Sequence, residues 1–243
     1  MKKILLISGP SCVGKGPLMA ALKKFYPEIK FGNIPVIKSW GSRNNKRRSN
    51  EVNKWYDLDF FMPDANFAAL DRKKYVVGDC RNFPQAIDLE QFSKSDSDLL
   101  IMEVYHTIGA QFRNHTFEVL KGVEIQSVFI SPISQNELDK LNKCGIDTDA
   151  YISHMMLNKQ IRRSEFMEED ATIEDIENFK SRAQDAPKEI SNMKNYNSVI
   201  LCREGEGSPL WKMDKTDVFF GKPEGDAARA LEELVSTIRA LET

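Results

Sequence analysis

The most constraining feature of the sequence is an apolar run at residues 4–7 that leads directly into a glycine-rich loop. Such a run is typical of a strand that is buried on both faces. Beyond the loop, apolar residues recur at helical spacing at Leu18, Leu22 and Phe25. The sequence therefore predicts a strand, a loop and a helix in succession.

The loop has the spacing Gly9-x-x-x-x-Gly14-Lys15. Glycine adopts backbone conformations that are closed to other residues, so the loop can turn its N–H groups inward onto a phosphate. Lysine then carries a compact positive charge to the outer phosphates. The pattern predicts a P-loop that binds a nucleoside triphosphate through these residues: Gly9, Pro10, Ser11, Cys12, Val13, Gly14, Lys15 and Gly16.

The residue after the lysine departs from the usual pattern. It is commonly Ser or Thr, whose hydroxyl reaches a magnesium ion, but here it is Gly16, followed by Pro17. Proline is well tolerated in the first turn of a helix. The sequence thus predicts the phosphate contacts and assigns no certain metal ligand.

Composition narrows the class of protein. A chain of 243 residues with 41% hydrophobic content can form one large domain with insertions. The net charge of −2 gives no sign of binding to a nucleic acid polymer or to an anionic membrane. Four widely spaced cysteines and three histidines argue against a zinc site or a disulfide framework.

The expected location is the cytoplasm. Met1, Lys2 and Lys3 lead straight into the first predicted strand, which leaves no room for a signal peptide. No apolar run approaches the length of a membrane span.

A basic stretch at residues 38–51 has five cations within eleven residues. Such a run is often a solvated loop. After a P-loop, however, an acceptor phosphate has to be held near the triphosphate, and arginine side chains suit that task.

The remaining pattern alternates strands and helices. Strands are predicted at 34–37, 98–105, 127–132 and 196–201, and residues 55–90 suggest a small mixed subdomain. Helices are predicted to begin at Ser134 with a capping box to Glu137, to run over 172–193 with an interruption at Pro187, and to run over 226–241. The whole indicates an α/β fold with a parallel sheet.

Glu103 ends one of the predicted strands. Ligands collect at the carboxyl ends of strands in open α/β sheets, so this carboxylate could orient a magnesium-bound water or an acceptor group. A salt bridge to a nearby cation is the alternative.

Residues 8–16 resemble the P-loop of the guanylate kinase family, which commonly reads Ser-Gly-Pro-Ser-Gly-Val-Gly-Lys followed by Gly or Ser. That family next has a Ser-x-x-x-Arg…Arg…Glu segment that clamps the acceptor phosphate. A similar segment is formed by Ser39, Arg43, Arg47 or Arg48, and Glu51. Residues 129–134 and 182–200 also resemble the family's later strands and helix.

The resemblance implies a P-loop NTPase-type three-layer fold with a small acceptor-binding subdomain and a helical lid. We expect one domain, with a core of residues 1–38, 98–141 and 176–243, an acceptor subdomain at 39–97 and a lid or insertion at 142–175.

The implied reaction moves the γ-phosphoryl group of ATP to a nucleoside monophosphate, with Mg²⁺ as cofactor and nucleotides as the binding partners. Lys15 would hold the donor phosphates, and Arg162, Arg163 and Arg182 would close over the transferring group. Arg162 and Arg163 could instead form a solvated helix face.

The sequence departs from the family where guanine is read. Glu103-Val104-Tyr105 stands in place of an Asp-x-Asp, and residues 75–85 lack the family's Phe-Ile-Glu and Tyr-Tyr-Gly-x-Ser motifs. Two alternatives to a GMP-like acceptor therefore stay open. One is a kinase of another phosphorylated small molecule, such as a sugar phosphate, and the other is a binding module without turnover.

Overall fold

The computed structural model describes residues 2–39, 60–114, 117–168 and 170–242. These residues divide into two compact units. The first lies within Met1–Ser8 and Lys30–Ser127, and the second within Gly9–Ile29 and Val128–Thr243. The strands and helices are numbered in chain order across both units.

The strands are β1 (Lys3–Ser8), β2 (Gly32–Asn33), β3 (Ile37–Ser39), β4 (Phe60–Met62), β5 (Tyr75–Cys80), β6 (Phe83–Asp88), β7 (Leu99–Glu103), β8 (Glu124–Ser131) and β9 (Ser198–Leu201). The helices are α1 (Lys15–Phe25), α2 (Asp64–Phe67), α3 (Glu90–Lys94), α4 (His106–Asn114), α5 (Gln135–Lys143), α6 (Thr148–Phe166), α7 (Ile173–Ser191) and α8 (Gly225–Glu242).

In the first unit, three parallel strands lie in the order β2-β7-β1, with Leu5 opposite Ile101. Both β1 and β7 are almost continuously apolar because each of their faces is buried. Their side chains join one hydrophobic core with those of α4, including Ile108 and Phe112. This core includes Met102 near the end of β7 and Leu6 in β1.

The first unit also has a smaller mixed sheet in the order β4-β3-β6-β5. Strand β6 pairs antiparallel with β5 and with β3, whereas β3 pairs parallel with β4. A small core of Ile37, Phe67 and Ala86 lies against it. The mixed pattern at residues 55–90 thus corresponds, over its described residues, to strands of this sheet within the first unit.

In the second unit, β8 and β9 pair in parallel, from Val128 opposite Ser198 to Ser131 opposite Leu201. Helix α8 packs against β9 and against α1, and α6 packs along α7. The apolar stripe of α8 predicted this burial, since Ala230, Leu234 and Ile238 are completely inaccessible to solvent. None of the helices in the described ranges combines the length and apolar character that crossing a membrane requires.

Most predicted elements are confirmed, but the interruption predicted at Pro187 is wrong, because α7 runs through this residue from Ile173 to Ser191. Helix α5 begins with the predicted capping box: Ser134 accepts the N–H of Glu137, and the Glu137 carboxylate accepts the N–H of Ser134. The strand predicted at 34–37 is misplaced, because β2 ends at Asn33 and β3 begins only at Ile37. Pro35 explains the gap, since proline has no N–H to donate to a strand ladder.

Candidate active site

The glycine-rich loop links β1 to α1, as predicted. Gly14 is the N-cap residue of α1 with φ of 116°, and Gly9 has φ of 148°. A Cβ on Gly9 would lie 2.3 Å from the carbonyl oxygen of Ile130, and one on Gly14 would lie 2.6 Å from Sγ of Cys202. Both positions therefore require glycine for their backbone conformation and for the close packing around them.

Lys15 is the first residue of α1 and is only 7% exposed. Its Nζ donates hydrogen bonds to the carbonyl oxygens of Gly9, at 2.8 Å, and Pro10, at 3.0 Å. The ammonium group thus lies across its own loop. The first turn of α1 contains no acidic residue, so the positive end of the helix dipole and this ammonium group together favour an anion.

Cys12 lies within the loop in the left-handed conformation, with φ of 62°. Glycine is common at this position in the family that the loop resembles, and this conformation gives the physical reason. Burial, with a smaller contribution from the Glu206 carboxylate, raises the pKa of the Cys12 thiol to about 11. The side chain is therefore neutral at physiological pH and is not an activated nucleophile.

Residues 203–211, here called the 203–211 segment, pack directly on the loop. The N–H of Glu206 donates to the carbonyl oxygen of Cys12 at 3.2 Å. A Cβ on Gly205 would lie 2.6 Å from that same oxygen. Trp211 is completely buried and donates from Nε1 to the carbonyl oxygen of Gly205 at 2.8 Å, which anchors the segment.

No pattern in the sequence predicted that residues 203–211 pack on the loop. The available signal was Trp211, a large apolar residue in a polar stretch, close to two glycines at Gly205 and Gly207. A tryptophan in such a place usually anchors an irregular segment to the rest of the protein.

The 203–211 segment also holds helix α6. Arg163 pairs with Glu206, with 2.7 Å between Nε and Oε2, and both side chains are largely buried. Arg162 pairs with Glu204 at 3.2 Å on a more exposed surface. Lys159 is more deeply buried than either arginine. It donates to the carbonyl oxygen of Arg203, and desolvation lowers its pKa.

Two of the predicted cations contact the loop or the segment packed on it: Lys15 bonds the carbonyl oxygens of Gly9 and Pro10, and Arg163 pairs with Glu206. Burial dominates the raised pKa of Cys12, and the charges of Arg163, Arg182 and Lys15 act to lower it. Arg182 lies on α7 and donates from Nε to Oδ1 of Asn178 at 2.9 Å. Glu206 supplies a negative charge in the same place.

Arg162, the remaining predicted catalytic arginine, lines a cavity of about 330 Å³ along α6. Its walls include Tyr151, His154, Asn158, Arg203 and Glu204. Cavities of this size accept small organic ligands. The cavity adjoins the 203–211 segment, because Arg203 and Glu204 belong to both. Lys159, also in the cavity wall, donates to the carbonyl oxygen of Arg203.

The predicted acceptor residues are only partly described. Ser39 ends β3 and is completely buried, and its hydroxyl donates to the Asp64 carboxylate. Glu103 ends β7 with an exposed side chain. The other predicted residues of this clamp lie outside the described residues, and they are Arg43, Arg47, Arg48 and Glu51.

Across the described ranges, no three His, Cys, Asp or Glu side chains come together in a group that could hold a metal ion. Magnesium in phosphoryl-transfer sites commonly uses one or two carboxylates together with substrate phosphates and water. A single carboxylate near the phosphate loop therefore suffices for this ion, and Glu206 meets that description.

Comparison with known proteins identifies the architecture. The chain is 28% identical over 159 residues to a guanylate kinase from Mycoplasmoides gallisepticum, a match that covers 63% of this chain and 74% of that protein. The crystal structure of guanylate kinase from Anaplasma phagocytophilum covers 98% of this chain and 85% of its own, with a TM-score of 0.51 and 14% identity. The fold is guanylate kinase-like. This confirms both the α/β P-loop NTPase-type fold and the resemblance predicted from residues 8–16.

Two further comparisons add little to this guanylate kinase-like assignment. A fungal RNA kinase structure covers 99% of this chain and 85% of its own with 13% identity, but its TM-score of 0.37 is too low to support an argument. No family model matches the chain.

Proposed function

We propose that the protein is an ATP-dependent phosphotransferase that moves the γ-phosphoryl group to a nucleoside monophosphate. The observations that carry this proposal are that Lys15 bonds across the glycine-rich loop and that Arg163 pairs with Glu206, which is packed on the same loop. A guanylate kinase-like fold and a guanylate kinase relative support the same reaction class.

The chemistry requires little covalent help from the protein. Phosphoryl transfer depends on holding donor and acceptor in line and on neutralising charge on the equatorial oxygens. The loop N–H groups and Lys15 would hold the β- and γ-phosphates of ATP. Arg163 and Arg182 would stabilise the charge that spreads over the transferring group, as arginines do in related reactions.

The cavity along α6 is proposed to take the base of the donor. Its wall combines the ring of Tyr151, the ring of His154 and the polar groups of Asn158, Arg162 and Glu204, which suits a flat heterocycle with hydrogen-bonding edges. Magnesium would accompany the triphosphate and neutralise part of its charge.

The acceptor is proposed to be held by Ser39, Arg43, Arg47 or Arg48, Glu51 and Glu103. Arginine–phosphate contacts can be bidentate, which would fix the direction of the acceptor phosphate. Because residues 75–85 lack the guanine-reading motifs, the base of the acceptor has to be determined by experiment.

The test is ADP release with ATP, Mg²⁺ and a panel of acceptors: GMP, AMP, CMP, UMP, dTMP and a sugar phosphate. We expect turnover with a nucleoside monophosphate, abolished by Lys15→Ala and retained by Lys24→Ala, an exposed lysine on the same helix. If only the sugar phosphate were turned over, the acceptor would be a sugar phosphate and not a nucleoside monophosphate. If nothing turned over and ATP binding were unchanged by Lys15→Ala, the chain would be a binding module and the proposal would fail.

A further inference from the structure

The position where a P-loop usually carries a hydroxyl has a carboxylate beside it in this protein. Gly16 directly follows Lys15 and has no side chain. If a Cβ were built on Gly16, Oε1 of Glu206 would lie 3.9 Å from it, and no other described atom beyond the adjoining residues and the backbone of α1 would lie within 4 Å. An oxygen ligand from the 203–211 segment therefore lies next to the site of the missing Ser or Thr.

The backbone of Glu206 is fixed where it is needed. Its N–H donates to the carbonyl oxygen of Cys12 at 3.2 Å, and the preceding Gly205 lies against that same carbonyl and accepts a hydrogen bond from buried Trp211. The carboxylate thus projects toward the first turn of α1 from a segment that is packed onto the loop. Ligands on such supported backbone hold their position better than ligands on exposed loops.

The two oxygens of this carboxylate have different neighbours. Oε2 accepts from Nε of Arg163 at 2.7 Å, whereas Oε1 is the atom beside Gly16. The pair is largely buried, with 17% exposure for the Arg163 side chain and 22% for Glu206. One carboxylate can therefore keep its arginine through one oxygen and bind a cation through the other.

We propose that Glu206 supplies the protein oxygen ligand for the Mg²⁺ ion that accompanies the donor triphosphate. The inference rests on the proposed function, because the ion would be shared with the phosphates of ATP. It also accounts for a carboxylate beside a phosphate loop, where a negative charge would otherwise repel the triphosphate. In this site the carboxylate of Glu206 takes the part that a Ser or Thr hydroxyl plays in other P-loops.

A counter-ion role for Glu206 makes the opposite prediction. If the carboxylate only balanced Arg163 and the neighbouring cations, its removal would free them for phosphate. Nucleotide would then bind more tightly without magnesium, and the gain in affinity that magnesium gives would stay unchanged.

The experiment compares binding of a non-hydrolysable ATP analogue, by titration calorimetry, in excess Mg²⁺ and in EDTA. The readout is the ratio of the two affinities, and no catalysis is needed. For Glu206→Gln we expect this ratio to fall by roughly tenfold or more, since changes to the shell outside a metal's ligands already cost about 10- to 100-fold in metal affinity. Glu224→Gln is the matched control. The described ion pair of the Glu224 carboxylate is with Lys212, so the ratio should not change.

A rescue variant separates metal binding from a general change of charge. Adding Gly16→Ser to Glu206→Gln restores an oxygen beside the ion. A side chain fits at residue 16 because, among the described atoms beyond its chain neighbours and helix backbone, only Oε1 of Glu206 would lie within 4 Å of its Cβ. We expect the double variant to regain most of the magnesium effect. Glu206→Asp, which keeps the charge on a shorter side chain, should lie between wild type and Glu206→Gln and serves if Glu206→Gln folds poorly.

Two outcomes have distinct meanings. If wild type binds the analogue with a magnesium effect that neither Glu206→Gln nor Glu206→Asp reduces, the inference is wrong and the proposed function stands. If wild type does not bind the analogue at all, the proposed function itself fails.

Discussion

Replacing Trp211 with phenylalanine should weaken both the fold and nucleotide binding. The change removes the Nε1–H that donates to Gly205 at 2.8 Å inside a completely buried site. The carbonyl left without this donor costs about 1–3 kcal/mol. The smaller ring adds about 1 kcal/mol for the cavity that it leaves.

The expected loss of unfolding free energy is therefore about 2–4 kcal/mol, or roughly 4–16 °C in Tm for a chain of this size. Because the Trp211 ring would lie 3.3 Å from a Cβ on Gly14, and Gly205 packs on Cys12, the loop should also lose its binding conformation part of the time. Apparent affinity falls by that fraction, so we expect nucleotide binding to weaken severalfold.

Thermal unfolding and calorimetric titration with ATP, measured at a temperature where each variant is folded, give the two quantities. Phe112→Leu is the control, since Phe112 is equally buried in the core of the first unit. It should lower Tm and leave ATP affinity unchanged. The reasoning is refuted if Trp211→Phe binds ATP as wild type does, because the 203–211 segment then does not support the loop.

Three further predictions follow from burial and capping. Under native conditions at pH 8, iodoacetamide should label the exposed Cys144 and spare Cys12 and Cys202. Burial raises the pKa values of these two thiols to about 11 and about 12, so they stay protonated. Peptide mass spectrometry measures the labelling, and labelling of Cys12 before Cys144 would contradict this prediction. The stability that the protonated Cys12 thiol contributes should be fully present below its unfolded pKa of 9.0 and lost as pH rises through about 11. Urea unfolding should therefore show a free energy of unfolding that falls between these two pH values. An unfolding free energy that stays constant over this range would contradict the prediction. Ser134→Ala should cost about 0.5–2 kcal/mol by urea unfolding with ATP affinity unchanged, because it breaks the capping box of α5, and Ser134→Asp, which also caps a helix, should recover most of the loss.

Patterns that depend on local sequence predicted most of the fold. The apolar runs at β1 and β7 predicted strands buried on both faces, and the Ser134–Glu137 spacing predicted the start of α5. The predicted strand at 34–37 was misplaced. It contains Pro35, which has no N–H to pair with a neighbouring strand.

Only the part of the candidate site that is formed by residues close together in the sequence could be predicted. Gly9, Gly14 and Lys15 follow a spacing that the backbone of a P-loop demands. The contacts between Glu206, Cys12 and Arg163 join residues that are far apart in the chain, and no periodicity marks them. Trp211, a large apolar residue in a polar stretch, was the sequence signal available for that packing.

The same distinction applies to the arginines. Arg162 and Arg163 are neighbours in the chain and were given the same role, but α6 directs them to different partners, Glu204 and Glu206. Their separation follows from the helix, in which successive side chains point about 100° apart. Arg163 is therefore the stronger candidate for contact with the phosphates, and Arg162 for the cavity along α6.

The central claim, that Lys15 and its loop bind the phosphates of ATP, is tested most directly by calorimetric titration of ATP into wild type, Lys15→Ala and Lys24→Ala. A hydrogen bond to a charged phosphate contributes about 1.5–3 kcal/mol, so Lys15→Ala should bind ATP about 10- to 100-fold more weakly. Lys24→Ala, changed on an exposed position of the same helix, should bind as wild type does. Equal ATP affinity in Lys15→Ala and wild type would contradict the account.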